Sequence, residues 1–241
     1  MRIDVAATPD GLDPASVAAS TVLVIDVLRA STSIVTALAN GCEAIVPVAS
    51  PEEARRRAAE LGGALIAGER RGEPLAGFDL GNSPLEFTRG RVGARTVVMT
   101  TSNGTRALVA ARGAAAVGVA AFVNQAAAAA WALAEGRDVL LLCAGERGAR
   151  SLEDYVCAGM LAERLTAADP AATPATEAER AMGAARPYGK EIGRLAQDSP
   201  WARHLAAVGR GRDLAACLAL DTRALVPVYR RNIDKVVAAH R

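Results

Sequence analysis

The chain has almost no lysine, only two histidines and no paired cysteines. Lys190 and Lys235 are the only lysines among 28 basic residues, the rest being Arg, which together with the Ala-rich helices reads as coding bias rather than a binding patch. The formal net charge is only +2 over 241 residues, so neither nucleic acid nor an anionic membrane surface is expected as a partner. Cys42, Cys143, Cys157 and Cys217 are widely spaced and form no CxxC pair, which argues against zinc and for reduced, mostly buried thiols. No apolar run is long enough to span a bilayer, and no basic segment followed by an apolar stretch opens the chain. These absences predict a soluble cytoplasmic protein, with residues 1–241 forming one domain large enough to bury a sizeable core.

What is present alternates. Apolar runs at Val22–Ile25, Ala44–Val48, Ala64–Ala67, Thr96–Thr100, Ala116–Val119 and Val139–Cys143 read as strands buried on both faces, with a late strand near Ala224–Val228. Helical stretches separate them. Ser50, Pro51 and Glu53 mark the start of a helix over Pro51–Leu61, as cap, first helical position and capping box. Asn124 is expected to cap an Ala-rich helix ending near Gly136, and Ser151 with Asp154 to start another through Leu165. Asp169–Thr176, with Pro170 and Pro174, reads as a surface loop, followed by a mainly helical segment that forms either an appendage to the core or a cover over it. The expected class is therefore α/β, a layered α/β/α fold with a helical C-terminal segment.

A short repeat organises this pattern. Ala67-Gly68-Glu69-Arg70 recurs as Ala144-Gly145-Glu146-Arg147, each copy after an apolar strand. Upstream of each copy stand a strand, a hydroxyl-rich turn with an Arg, and a helix containing Ala-Leu. The spacing predicts two similar interleaved β-α-β-α-β units, about residues 20–90 and 94–165. Related strand ends would then meet along one edge, where open α/β sheets place ligands.

Four polar clusters fall at those ends. Asp26 with Arg29, Ser31 and Thr32 follows the first strand, in a turn that also suits an ordinary helix cap. Gly77-Phe-Asp79-Leu-Gly81-Asn82-Ser83-Pro84 extends a second cluster that begins at Glu69-Arg70-Arg71. Thr100-Thr101-Ser102-Asn103-Gly104-Thr105-Arg106 is the most phosphate-like, because Asn-Gly can turn successive N–H groups toward an anion at a helix start. It lacks the Gly-Lys-Ser/Thr ending of a nucleoside triphosphate loop. Glu146-Arg147-Gly148, followed by Ser151-Leu-Glu153-Asp154, is the fourth. Oxygen-only acids with no nearby imidazole suit Mg²⁺, which shares its shell between carboxylates, water and phosphate. The plainer role for Glu153 and Asp154 is to favour the helix dipole, and for Glu69 and Glu146 to pair with Arg. Cys143 reads as a buried small hydrophobe rather than a nucleophile.

Taken together, Val24-Ile-Asp26-Val-Leu-Arg29-Ala-Ser-Thr, Gly68-Glu-Arg, Gly77-Phe-Asp-Leu-Gly-Asn-Ser-Pro84, Thr100-Thr-Ser-Asn-Gly-Thr-Arg-Ala-Leu108 and Cys143-Ala-Gly-Glu with Ser151-Leu-Glu-Asp154 resemble the 2-phosphosulfolactate phosphatase family. The resemblance covers roughly residues 1–230, including Asp213, Cys217 and Val226-Pro227. It implies an α/β fold of its own and Mg²⁺-dependent hydrolysis of (2R)-2-phospho-3-sulfolactate to 3-sulfolactate and phosphate, a step toward coenzyme M. Two departures, Ser102 for a frequent Thr and Arg71-Gly-Glu-Pro for a Gly- and Lys-rich stretch, fall near possible substrate contacts.

For such a substrate, Asp26 and Arg29 are the expected catalytic residues, and Asp26, Glu69 and Glu146 the expected holders of Mg²⁺. Ser31, Thr32, Asn82, Ser83, Asn103, Gly104, Thr105, Arg106 and Arg147 are expected to bind the anionic substrate. An isomerase or lyase on a small phosphorylated acid, or a non-catalytic module that binds an anionic metabolite, would use a similar pocket. The Ala-rich helix surface is compatible with a homodimer.

Overall fold

The computed structural model describes residues 1–239, so His240 lies outside the described residues. Its strands are β1 (Arg2–Ala6), β2 (Thr21–Ile25), β3 (Ala44–Pro47), β4 (Leu65–Arg70), β5 (Glu73–Pro74), β6 (Thr96–Thr100), β7 (Ala116–Ala120), β8 (Val139–Cys143), β9 (Thr173–Pro174), β10 (Pro227–Arg230) and β11 (Lys235–Ala238). They form one mixed sheet in the order β5-β4-β6-β3-β11-β10-β7-β2-β8-β1-β9.

That order contains two parallel blocks. In one, β6 lies between β4 and β3; in the other, β2 lies between β8 and β7. Each central strand therefore has both neighbours from the other stretch of chain. The helix Ala30–Ala39 carries the chain from β2 across to β3, and the helix Gly104–Ala111 carries it from β6 back to β7. The antiparallel hairpin β10–β11 joins the blocks, pairing Val228 with Gly118 of β7 and Val236 with Ile45 of β3.

Alternation along the strands sets the layers. Val22 and Val24 of β2 face the same core as Val97 and Met99 of β6, and the two crossover helices fill that core with Ile34, Leu38, Ala107 and Leu108. Leu23 and Ile25 point the other way, onto the helices Gln125–Ala134, Leu152–Ala168 and Thr176–Ala185. The helix Pro51–Glu60 covers that side of the first block through Ala54 and Ala58, against Val46 and Val98. Burying a Val, Leu or Ile completely is worth about 1.5–3 kcal/mol, so continuous apolar strands suit a sheet covered on both faces. The result is the layered α/β/α architecture expected from the alternation.

Several elements differ from the sequence pattern. The pattern gave no sign of β1, yet its Ile3 and Val5 pair beside β8 and are buried. Thr173-Pro174, expected in a surface loop, is the short edge strand β9; Pro is tolerated there because an edge needs no donor on its outer side. Asn124 does not cap the Ala-rich helix with its side chain. Its amide instead accepts from the N–H of Ala121 at 2.9 Å and donates to the carbonyls of Val119 and Leu225, holding the end of β7. Ser50 and Ser151 do accept from the N–H groups of Glu53 and Asp154 at their helix starts. All four cysteines are free and buried, and burial pushes the Cys143 thiol well above its ordinary value.

Candidate active site

The turn after β2 is built around Asp26. Its Oδ1 accepts from the N–H of Ala30 at 3.0 Å, capping the crossover helix Ala30–Ala39, while its own N–H donates to Ser31 Oγ at 2.9 Å. Ser31 Oγ also donates to the Val24 carbonyl, and Thr32 Oγ1 donates to that of Val27. Both hydroxyls, expected to grip substrate, are used to close this turn.

The turn after β6 repeats the device with Thr in place of Asp. Thr101 Oγ1 accepts from the N–H of Thr105 at 3.0 Å, and Thr105 Oγ1 accepts from that of Thr101 at 2.9 Å. The start of this second crossover helix is pressed against the first turn. A β-carbon on Gly104 would lie 2.5 Å from both Asp26 Oδ2 and the Ala30 methyl carbon. Asp26 is thus flanked by the N-termini of both crossover helices, whose unpaired N–H groups and dipoles favour negative charge.

The third side comes from the end of β8 and the helix Leu152–Ala168. Asp154 Oδ1 accepts from the N–H of Val27 at 2.8 Å and Oδ2 from that of Gly145 at 3.3 Å, which ties this helix to both strand ends. Glu146 Oε2 accepts from Asn103 Nδ2 at 2.9 Å, and its Oε1 lies 3.3 Å from Arg147 Nε. Asp26, Asn103, Glu146, Glu153 and Asp154 line one small cavity, closed by Leu28 and Trp201, with room for about one water molecule or ion.

Four acids facing one another without a buried cation raise their proton affinities. Burial pushes Asp26 up to about 7, and the charges of Glu69, Glu153 and Glu146 push the same way against the Ala30 N–H bond. Asp154 is held well above its ordinary value by burial and then by the Asp26 and Glu153 charges. Glu153 and Glu146 are also raised, chiefly by burial.

The other expected residues divide between two places. Arg106 is exposed and, with Asn103, Asp10 and Gly148, lines an open cleft on the far side of Asn103. Arg147 is exposed and precedes Gly148, which lines that cleft, but is itself paired with Glu146. Arg29 is not free to meet an anion. It is 3 % exposed, and its guanidinium spans Asp213 Oδ2 at 2.6 Å and the Gly72 carbonyl at 2.8 Å. Ser83 Oγ donates to the other Asp213 oxygen at 2.5 Å, so Ser83 belongs to this buried network rather than to the cavity wall. Asn82 lies beside it in sequence and is buried, with its carbonyl accepting from Ser33 Oγ. Glu69 is a clamp: its Oε1 takes the Ser102 N–H, and its Oε2 the Ser102 hydroxyl and the Gly72 N–H. Of the cavity residues, Glu153 and Asp154 stand in the fourth polar cluster of the sequence but are not among the expected site residues, and Trp201 is in neither group. Only the run of acids after Ser151 hinted at the first two, and it has an ordinary explanation in the helix dipole.

The family model of 2-phosphosulpholactate phosphatase matches residues 6–232. The chain belongs to this family. It is 38 % identical to a protein of Thermotoga petrophila over 213 residues, 88 % of this chain and 90 % of that one. It is 39 % identical to one of Symbiobacterium thermophilum, covering 86 % and 90 % of the two chains. A Clostridium botulinum protein is 30 % identical over 98 % of this chain and 99 % of its own. All three are named probable 2-phosphosulfolactate phosphatase. In this phosphatase family member every cavity residue lies within the matched segment. No helix among the described residues is long and apolar enough to cross a membrane.

Proposed function

We propose that the chain hydrolyses 2-phospho-3-sulfolactate to 3-sulfolactate and inorganic phosphate, with Mg²⁺ as its cofactor. The observation that carries this reading is the placement of Asp26 between two helix N-termini, in a cavity whose other polar walls are Asn103, Glu146, Glu153 and Asp154. Helix N-termini favour a phosphoryl group, whereas four acids repel one unless a cation stands between them.

The donor set fits Mg²⁺. Among the described residues no three acidic, cysteine or histidine side chains already converge into a closed metal cage. Mg²⁺ needs none, since it keeps several waters and binds through one or two carboxylates and the substrate phosphate. We assign it to Asp26 Oδ2, since the Ala30 N–H engages only the other oxygen, and to Glu146, the least buried of the four acids, whereas Asp154 and Glu153 are almost fully enclosed. When bound, Mg²⁺ would neutralise phosphate charge and ease attack at phosphorus.

The protein's own groups supply the rest. Asn103 holds Glu146 in place and separates the cavity from the cleft that contains Arg106. The phosphate would lie on the cavity side, and the sulfonate or carboxylate on the Arg106 and Arg147 side, where a guanidinium can form paired hydrogen bonds to its oxygens. The enzyme would act in the cytoplasm on a small anionic substrate.

The deciding experiment is phosphate release from 2-phosphosulfolactate and a panel of phosphate monoesters, with Mg²⁺ or with EDTA. Metal-dependent release that favours the sulfonated ester is expected. Conversion without release would point to an isomerase or lyase, and binding without conversion to a metabolite-binding module.

A further inference from the structure

The cavity beside Asp26 is walled mainly by strand ends and the helix that follows β8, but one wall comes from elsewhere. Leu28 follows β2, Asn103 follows β6 and Glu146 follows β8, whereas Trp201 comes from the short helix Pro200–Leu205 in the C-terminal segment. Its Nε1 donates to the Leu28 carbonyl at 2.9 Å. The indole also lies 3.6 Å from the place a β-carbon on Gly72 would take, so it reaches the turn after β4 as well. Its ring stacks on His204, with centroids 4.8 Å apart. One residue before the helix, Ser199 Oγ donates to the buried carboxylate of Glu153 at 2.7 Å.

The chain beyond this docked helix is bent and then pinned. Val208 and Gly209 leave helical geometry, Gly209 with φ at +78°, before the helix Gly211–Cys217 resumes. That second helix is fixed by Asp213 to Arg29 and Ser83. The helix Pro200–Leu205 itself is seated by Ala202 and Leu205, both buried in the core, whereas the indole meets the cavity through the single hydrogen bond to Leu28. A glycine in the left-handed region separates this helix from the pinned one.

Size makes the arrangement consequential. With the indole in place the cavity has room for about one water molecule, and a phosphate ester of a three-carbon acid cannot sit beside Asp26. We propose that Trp201 is the movable cover of the phosphoryl site, a positioning residue that leaves the Leu28 carbonyl to admit the anion and then packs over it. This proposal rests on the phosphatase reading of the same cavity. Such a cover holds the ester in register and keeps bulk water from the reacting group.

Trp131 and Trp201 are the only tryptophans, and Trp131 packs on Gly118 and lines a separate apolar groove. A Trp131→Phe protein therefore makes Trp201 a single reporter. With MgCl2 present, acrylamide quenching of its emission should change saturably as inorganic phosphate is added, over the range in which phosphate inhibits turnover. Trp201→Ala should lower kcat at least about tenfold with a smaller change in KM, and Trp201→Phe should restore most of it. Quenching that stays flat while phosphate inhibits, or Trp201→Ala with unchanged kcat and KM, overturns the cover. If no ester releases phosphate, the phosphatase reading falls, and the quenching response to phosphate still decides whether Trp201 covers an anion site.

Discussion

Asp26 Oδ2 stands 2.5 Å from the point that a β-carbon on Gly104 would occupy, although the two residues belong to different strand-to-helix turns. Gly104 begins a helix, where alanine is intrinsically favoured, so the cost of its exchange comes from the contacts with Asp26 and with the Ala30 methyl carbon. Gly104→Ala should push the two helix starts apart and displace the carboxylate, lowering kcat/KM by about a hundredfold. Steady-state kinetics beside a far-UV melting curve would check this; unchanged kinetics would remove the contact from the catalytic argument.

Asp26→Asn separates function from stability. The folded carboxyl takes its proton at about 7, against 3.8 for an ordinary aspartate, so the folded protein binds more protons than the unfolded chain between those values. Stability contributed by this group is therefore lost as pH rises through that window, and the loss is complete above it. Without added metal at pH 8, Asp26→Asn should raise Tm by at least about 2 °C while abolishing activity, and near pH 4 the gain should vanish. In the same melts, Mg²⁺ should stabilise the parent protein more than the variant.

The Arg29–Asp213 pair predicts a structural phenotype. Both side chains are buried, so Asp213→Ala leaves an uncompensated guanidinium and should cost about 3–5 kcal/mol in urea unfolding. A paired Arg29→Met, Asp213→Leu variant should recover part of that loss. If Asp213→Ala is as stable as the parent, the network is not the brace described here.

Arg106 should act on binding. Arg106→Gln is expected to raise KM for the sulfonated ester about tenfold with kcat nearly kept, the signature of a contact made equally in ground and transition states. For a phosphate monoester without a second acid group, the same variant should behave like the parent. Equal losses on both esters would move Arg106 from the distal group to the phosphate.

Much of this architecture could be read from the chain, for identifiable reasons. The Ala-Gly-Glu-Arg repeat stands at the ends of β4 and β8, which occupy matching places in the two parallel blocks. Apolar runs such as Val139–Cys143 were legible because strands buried on both faces have few polar interruptions. Asp26 was legible as the carboxylate that ends such a run. Other roles are decided by partners far away in sequence. Arg29 looked free beside its own turn, but Asp213 claims it; Glu69 looked like a ligand, but Ser102 and Gly72 occupy its oxygens. Trp201 carried no local mark, since its partner is the carbonyl of Leu28.

The exchange of neighbours between the two blocks also orders biosynthesis. The strand β6 emerges after both of its partners, β3 and β4, and can pair at once. The strand β2 has the opposite fate: it ends at Ile25, but its partners begin only at Ala116 and Val139. Its apolar faces must wait unpaired while most of the chain is made, the interval in which holdase chaperones and aggregation compete for exposed strands. Asp26 hangs from that waiting strand, so a nascent or truncated chain carries the carboxylate without the surroundings that make it reactive.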